Sequence, residues 1–391
     1  MSKNEIAALN KKIGLLNFHY SDHNYGAVLQ AAALADVVTQ LGYNTEHVDF
    51  IPAKIEKKKT PRQRLVAVLA VLGIKSLLKR ILGIKVYIKP QVTGSEVFEK
   101  FRKTWIVRSA QTYTTATQLN EIGTTYAAVV VGSDQVWRPH PDYPKEHIDA
   151  YFLGFLPREV TRISYAASFG VDKWEYINRQ DYTETARDSL QLFSHISVRE
   201  NSGVNLCKDV FSVDALHVLD PTLLRGRDFF EKIILHDGAC CGAASIVYYK
   251  LDVDDWFVNQ VDSMGSDFNA EVENIYYMHD GNGYRYIPVP DWLAKIRDSK
   301  LVITDSYHCV CFSILFNREF ICISNPGRGL ARLTSLLHSL GITDRVYDDN
   351  ISISEVYNSI KKIDYEKVNF KLNQLRVDSM SYLIKALDGV K

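Results

Sequence analysis

The chain has 391 residues, of which 46% are hydrophobic and 24% charged. That is enough apolar content for a sizeable core and, at roughly 150 residues per domain, for two or three domains. Forty-six Lys and Arg balance forty-six Asp and Glu, which excludes the general basic excess of a nucleic-acid binder. Six cysteines, Cys207, Cys240, Cys241, Cys309, Cys311 and Cys322, form no CxxC pair, so neither a zinc ribbon nor a disulfide framework is indicated, and they are expected to be reduced. The opening "MSKNEIAALNKK" lacks the apolar stretch of a secretory signal, and no run is long enough for a membrane span. A cytoplasmic protein is expected.

In chain order, "KIGLLNF" predicts a strand, "HYSDHNYG" a polar turn, "AVLQAAALADVVTQLG" a helix stopping at Gly42, and "NTEHVDF" a second strand. The runs "YAAVVVG", "TRISYAASFG", "SHISVRE" and "LHVLDP" follow, each apolar or alternating and each ending in polar or turn residues. Strands whose carboxyl ends open on a site have this habit. After about Leu224 the rhythm restarts, with strands in "ASIVYYKL", "AEVENIYYM", "KLVITDS" and "REFICIS" and helices in "VPDWLAKIRDS", "SYHCVCFSILF" and "GLARLTSLLHSLG". Alternating strands and helices give parallel sheets covered by helices, so the expected class is α/β, with two doubly wound Rossmann-like domains facing one another across a cleft. The expected boundaries are 1–224, 225–365 and a C-terminal helix in 366–391 that packs back on the first domain.

One region interrupts the alternation. Between Lys54 and Lys89, eleven Lys and Arg face a single acid, Glu56, for a local charge of +10. With the apolar "LVAVLAVLGIKSLLKRILGI" inside it, segment 54–89 suits either a helix lying in a membrane interface with its lysines toward anionic headgroups, or a helical hairpin with a solvated basic face.

Seven stretches occur together in order: "NYGAVLQAAAL", "VVVGSDQVW", "ISYAASFG", "ISVRE", "VLDPTLL", "TDSYHCVCFSILF" and "RGLARLTSLL". In this set, from about residue 13 to 345, the chain resembles the polysaccharide pyruvyl transferase family. The resemblance implies a two-domain fold like that of GT-B glycosyltransferases, phosphoenolpyruvate as co-substrate with no other cofactor, a sugar acceptor, with a lipid-linked one among the alternatives, and a pyruvate ketal as product. Competing readings are a nucleotide-sugar glycosyltransferase of the same shape and a non-catalytic carbohydrate-binding protein.

Such chemistry asks for cations around a phosphate and a carboxylate, and for one acid. His308, at the end of a predicted strand where a helix begins, is the natural acid because imidazole titrates near neutrality; its alternative is a buried histidine bonded to a carbonyl. Asp305 or Ser306 is placed to cap that helix, and Ser306 and Tyr307 are candidate substrate contacts. Ser306 stands where many relatives carry arginine. Arg199 ends another strand, where its fork suits an anion; its alternative is a surface pair with Glu200. Arg328 and Arg332, in a Gly-rich loop opening a helix, are the candidate substitutes for the missing cation. In "GSDQVW", Ser133, Asp134 and Gln135 offer donors and acceptors, with Asp134 as general base, sugar-orienting group or local cap. Asn24, Tyr25 and Gly26 occupy the first strand-to-helix turn, a position suited to substrate contact. His19 and His23 read as polar loop residues, and no metal is indicated.

Overall fold

A computed structural model describes residues 12–53, 87–88, 90–138, 146–238, 244–325, 329–349, 351–388 and 390. Of the basic segment 54–89 only Tyr87 and Ile88 fall in these ranges, so its two readings lie outside the described residues, as do Arg328, Cys240 and Cys241.

The first sheet takes β1 (Lys12–Leu16), β2 (Asn44–Phe50), β3 (Arg108–Tyr113), β4 (Ala128–Val131) and β5 (Thr161–Ser164), in the spatial order β3-β2-β1-β4-β5 and all parallel. Two short parallel strands, β6 (Ser197–Val198) and β7 (Leu216–His217), with helix α2 (Asn201–Asp209) between them in the chain, lie beyond its edge, and bridges from Ile163 to His195 and from Ala167 to Val198 join them to it. The second sheet takes β8 (Ile246–Tyr249), β9 (Val272–Asn274), β12 (Leu301–Thr304), β13 (Glu319–Ile323) and β14 (Val346–Tyr347), in the order β9-β8-β12-β13-β14, again parallel. Between β9 and β12 the chain makes an antiparallel hairpin of β10 (Tyr277–His279) and β11 (Tyr284–Tyr286), which the sequence pattern did not separate from the strand before it. The α/β class and the two Rossmann-like domains expected from the sequence are present.

The strand between flanking helices is buried on both faces, so β4 and β12 carry the continuous apolar runs Ala128–Val131 and Leu301–Ile303. Helix α1 (Tyr25–Gln40) follows β1 directly. Its start is fixed by Asn24, whose Oδ1 accepts the Ala27 N–H at 3.2 Å, and the chain turns away at Gly42 with φ +92°. The first ten residues of α1 are buried all round, as a helix enclosed by protein requires.

That burial comes from the second domain. Tyr25, Val28 and Leu29 of α1 share one apolar cluster with Trp292 of α4 (Val289–Asp298) and Phe312 of α5 (Tyr307–Leu315). Tyr25 stacks on Trp292 with ring centroids 4.9 Å apart and planes 6° from parallel. Its hydroxyl donates to the Ile287 carbonyl at 2.8 Å. Each large apolar side chain buried in such a seam is worth roughly 1.5–3 kcal/mol, so the two domains are welded rather than merely tethered. The final helix, α7 (Tyr365–Asp388), returns to the first domain: the Tyr382 hydroxyl donates to the Ser164 carbonyl at 2.8 Å, and Tyr43 reaches the Leu387 carbonyl at 2.9 Å. Among the described residues no helix is long and apolar enough to cross a membrane.

Candidate active site

The carboxyl edges of the two sheets face each other over a cleft of about 350 Å³. From the first domain Asn24, Asp134 and Gln135 line it; from the second come Ser306, Tyr307, His308 and Arg332.

His308 lies in the first turn of α5, two residues after Ser306, the cap position that joins β12 to the helix. Ser306 makes no side-chain cap bond, and its own N–H donates to Thr304 Oγ1 at 3.0 Å. Asp305 does not cap the helix either. Its carboxylate turns back to accept the Leu251 and Asp252 N–H groups and the Lys250 ammonium, the last at 3.0 Å, and so ties β12 to the loop after β8. The free N–H groups of α5 therefore face the cleft without a competing side-chain acceptor at the cap, a favourable place for an anion.

Arg199 sits directly behind the cleft, 1% exposed, with no surface pair to Glu200. Its Nη1 donates to Asp220 Oδ2 at 2.6 Å and its Nη2 to Asp134 Oδ1 at 3.2 Å. The guanidinium carbon lies 4.5 Å from the centre of the Tyr307 ring, and Nη1 is 3.4 Å from His308 Nε2. Arg332, in the first turn of α6 (Ala331–Leu340), approaches Asp134 Oδ1 at 3.7 Å and covers the same Tyr307 ring at 5.6 Å. Asp134 thus bridges two guanidiniums.

These contacts set the charges. Burial works to raise the Asp134 carboxyl, but Arg199, His308 and Arg332 outweigh it and hold the group below the usual carboxylate range. Burial also opposes the charge on Asp220, and His308 with Arg199 holds that carboxyl below its ordinary value too. Burial and the neighbouring Arg199 push the Arg332 guanidinium down to about 10. Behind them, burial pushes the Glu200 carboxyl up. Glu200 Oε1 accepts the Ser168 hydroxyl and the Phe169 and Gly170 N–H groups, while its Oε2 has no hydrogen-bond partner among the described residues.

Several residues expected in contact with substrate stand instead behind those that line the cleft. Tyr25 is in the domain seam already described. Gly26 is packed against His308: a Cβ there would fall 2.2 Å from the imidazole Nδ1, so only glycine lets the ring lie where it does. Ser133 is fully buried, its hydroxyl placed 3.0 Å from both the Ala166 carbonyl and Asp220 Oδ2. Gln135 and Asn24 do reach the cleft, and the Gln135 N–H donates to Asp134 Oδ1 at 2.8 Å, so Asp134 also closes its own turn. Asp134 holds φ +74°, an unusual value for a non-glycine residue and one that accumulates at functional sites. His19 is no solvated loop residue: it is fully buried with Nε2 2.9 Å from Asp49 Oδ1.

Two contributors escaped the reading of the sequence as site residues. Asp220 starts the short helix α3 (Pro221–Arg225), where its Oδ1 accepts the Thr222 N–H and hydroxyl at 2.9 and 2.7 Å. Its signal was the Asp-Pro pair of "VLDPTLL", which reads as a helix start and conceals the second role. Arg138 also lines the cleft, clamped by Glu175 through bonds of 2.8 and 2.9 Å.

The family model of polysaccharide pyruvyl transferases matches residues 24–327. No curated protein matches the chain. Among solved structures, that of S. aureus MnaA with UDP is similar at a TM-score of 0.49 and 13% identity, covering 97% of each chain. UDP-GlcNAc 2-epimerase from Neisseria meningitidis is similar at 0.47 and 10%, covering 96% of this chain and 100% of the other. Medicago truncatula UGT71G1 with UDP-glucose is similar at 0.48 and 11%, covering 100% of both.

Proposed function

Because the chain belongs to the polysaccharide pyruvyl transferase family, an enzyme family, we propose that it moves the enolpyruvyl group of phosphoenolpyruvate onto two hydroxyls of one sugar, forming a pyruvate ketal and releasing phosphate. The observation that supports this most is Asp134 spanning Arg199 and Arg332 beside His308: one cation lining the cleft and a second directly behind it already hold one carboxylate and suit an anionic donor that would compete for them.

In this reading the phosphoenolpyruvate anions take places at Arg332, at Arg199 and at the N-terminus of α5, and they loosen Asp134 from its guanidiniums. A carboxylate held at low basicity by two arginines is a weak base; released from them it becomes a better one. Asp134 then accepts the proton of one sugar hydroxyl, whose oxygen bonds to the enol carbon, while His308 gives a proton to the methylene carbon and turns it into a methyl. The C–O bond to phosphate breaks with its electron pair leaving on phosphate, steadied by arginine. A neighbouring hydroxyl of the same sugar bonds to the same carbon, and its proton leaves with phosphate or solvent. The first domain presents the acceptor and lends Arg199 to the donor, which the second domain otherwise holds. The reaction asks for no cofactor beyond the co-substrate, and no nucleotide.

The test is incubation with phosphoenolpyruvate and a panel of free, nucleotide-linked and lipid-linked sugars, with phosphate release and acceptor mass followed together. A pyruvyl mass gain matched to phosphate release is expected, and its loss in His308→Ala. Specific binding of a nucleoside diphosphate with no phosphoenolpyruvate turnover on any acceptor would overturn the proposal in favour of a glycosyl transferase.

A further inference from the structure

The hairpin of β10 and β11 carries more aromatic surface than its size needs. The pairing sets Tyr277 opposite Tyr286 and His279 opposite Tyr284. Alternation along each strand then puts these four rings on one face of the hairpin. Tyr277 and Tyr284 meet edge to face at 5.1 Å, and His279 meets Tyr284 at 5.3 Å. The row runs from half-buried Tyr286 and Tyr277 to exposed His279 and to Tyr284, which is 39% exposed. Cross-strand aromatic pairs stabilise a hairpin. Stability alone, however, is served as well by residues without a polar end, and the exposed members of this row are tyrosine and histidine.

The position of the hairpin matters as much as its composition. It leaves the carboxyl end of β9, and because β9, β8, β12 and β13 are parallel, that is the sheet edge at which Ser306 and Asn325 open on the cleft. The residue just before β10, Tyr276, donates its hydroxyl to the His23 carbonyl at 3.3 Å, and the next residue in the chain, Asn24, lines the cleft. The Tyr276 ring also meets those of Tyr277 and Tyr286 at 5.3 and 5.8 Å, so the aromatic row joins through it the loop that carries Asn24 to the cleft, a space of about 350 Å³.

We infer that the hairpin is an acceptor subsite outside the cleft, on which a glycan chain rests its next sugar units against Tyr284 and Tyr277. A ring with an apolar face and a polar rim matches the face and hydroxyl rim of a hexose, with Asp280 and Asn282 of the turn close by for hydrogen bonding. This rests on the proposed reaction for the sugar acceptor and adds to it that the acceptor is longer than a monosaccharide.

The experiment titrates the full chain, with saturation-transfer NMR, against defined gluco-, galacto- and manno-oligosaccharides of one to five units, for wild type, Tyr284→Ala and Tyr284→Phe. For at least one series the wild type should tighten about tenfold between one and three units, the size of gain one aromatic contact supplies. Tyr284→Ala should lose that gain while binding a single sugar as before, and Tyr284→Phe, which keeps the ring, should retain most of it. Affinity that does not depend on chain length in any series, or a length gain that survives Tyr284→Ala with the melting temperature unchanged, would overturn the inference. Phosphoenolpyruvate turnover on the same samples separates the two ideas: turnover without a length gain sinks the subsite alone, and a length gain without turnover sinks the reaction alone.

Discussion

One oxygen of Asp220 serves two functional groups: Oδ2 lies 2.6 Å from Nη1 of Arg199 and 3.5 Å from Nε2 of His308. The other oxygen is anchored on Thr222, so the carboxylate cannot turn away from either partner. Asp220 touches neither the cleft nor a substrate. It positions the arginine and the histidine that do the proposed work.

Asp220→Asn keeps the shape and removes the charge that balances a fully buried guanidinium. Breaking a buried ion pair from one side costs about 3–5 kcal/mol in general, and the amide's remaining hydrogen bonds should bring the loss below that. We expect a folded protein with a lower melting temperature and phosphate release reduced at least about 100-fold, since a misplaced reacting group alone costs that much. If turnover stays within a factor of two of wild type, the positioning role is wrong.

Gly26→Ala tests the contact between α1 and the imidazole. The added methyl would fall 2.2 Å from His308 Nδ1 and 2.6 Å from its Cβ, so the ring must move or α1 must lift. Overpacking of this kind costs about 1–3 kcal/mol. Activity should drop more than tenfold with a modest fall in melting temperature, and the double variant Gly26→Ala, His308→Ala should recover the stability without the activity. Full activity in Gly26→Ala would show that the position of the ring does not matter.

Much of this site was legible in the sequence because parallel sheets place function where apolar runs stop. "TDSYHCVCFSILF" divides into the last residue of β12, a turn and α5, and its polar residues fall at the turn. What stayed hidden depends on partners far along the chain. Asp220 meets Ser133 across 87 positions, and Arg199 meets His308 across 109, distances over which pattern carries no signal. Tyr25 follows an N-cap at a strand-to-helix turn, as a ligand-binding residue would, and only the packing of Trp292 shows it to be a seam residue. His19 reads in the sequence as a polar loop residue, and only Asp49, on β2, shows why it is buried.

Asp134 links charge to acid stability. Its carboxyl is held below the ordinary value of about 3.9, so the folded state binds its proton less readily than the unfolded chain does. The contribution is fully present above pH 3.9 or so and is lost as pH falls through the lower folded value. Asp134→Asn should therefore melt earlier than wild type at pH 7, with the gap narrowing from about pH 4 downward. Melting curves from pH 7 to 3 decide it, and a gap that is constant or widens toward acid would contradict the assignment.

Arg332 offers a test of which cation holds the donor. Even brought down to about 10 by burial and by Arg199, its guanidinium stays charged across the neutral range. A lysine in the same place starts from about 10.4, two units or more below arginine, and meets the same burial and the same neighbour. Arg332→Lys should then bind phosphoenolpyruvate at pH 7 with moderately raised KM and lose it progressively toward pH 9, while the wild-type KM changes little over that range. The measurement is KM for phosphoenolpyruvate from pH 6.5 to 9.5, with kcat followed separately. Parallel pH profiles for the two proteins would place the donor's anions on Arg199 and the α5 N-terminus without Arg332.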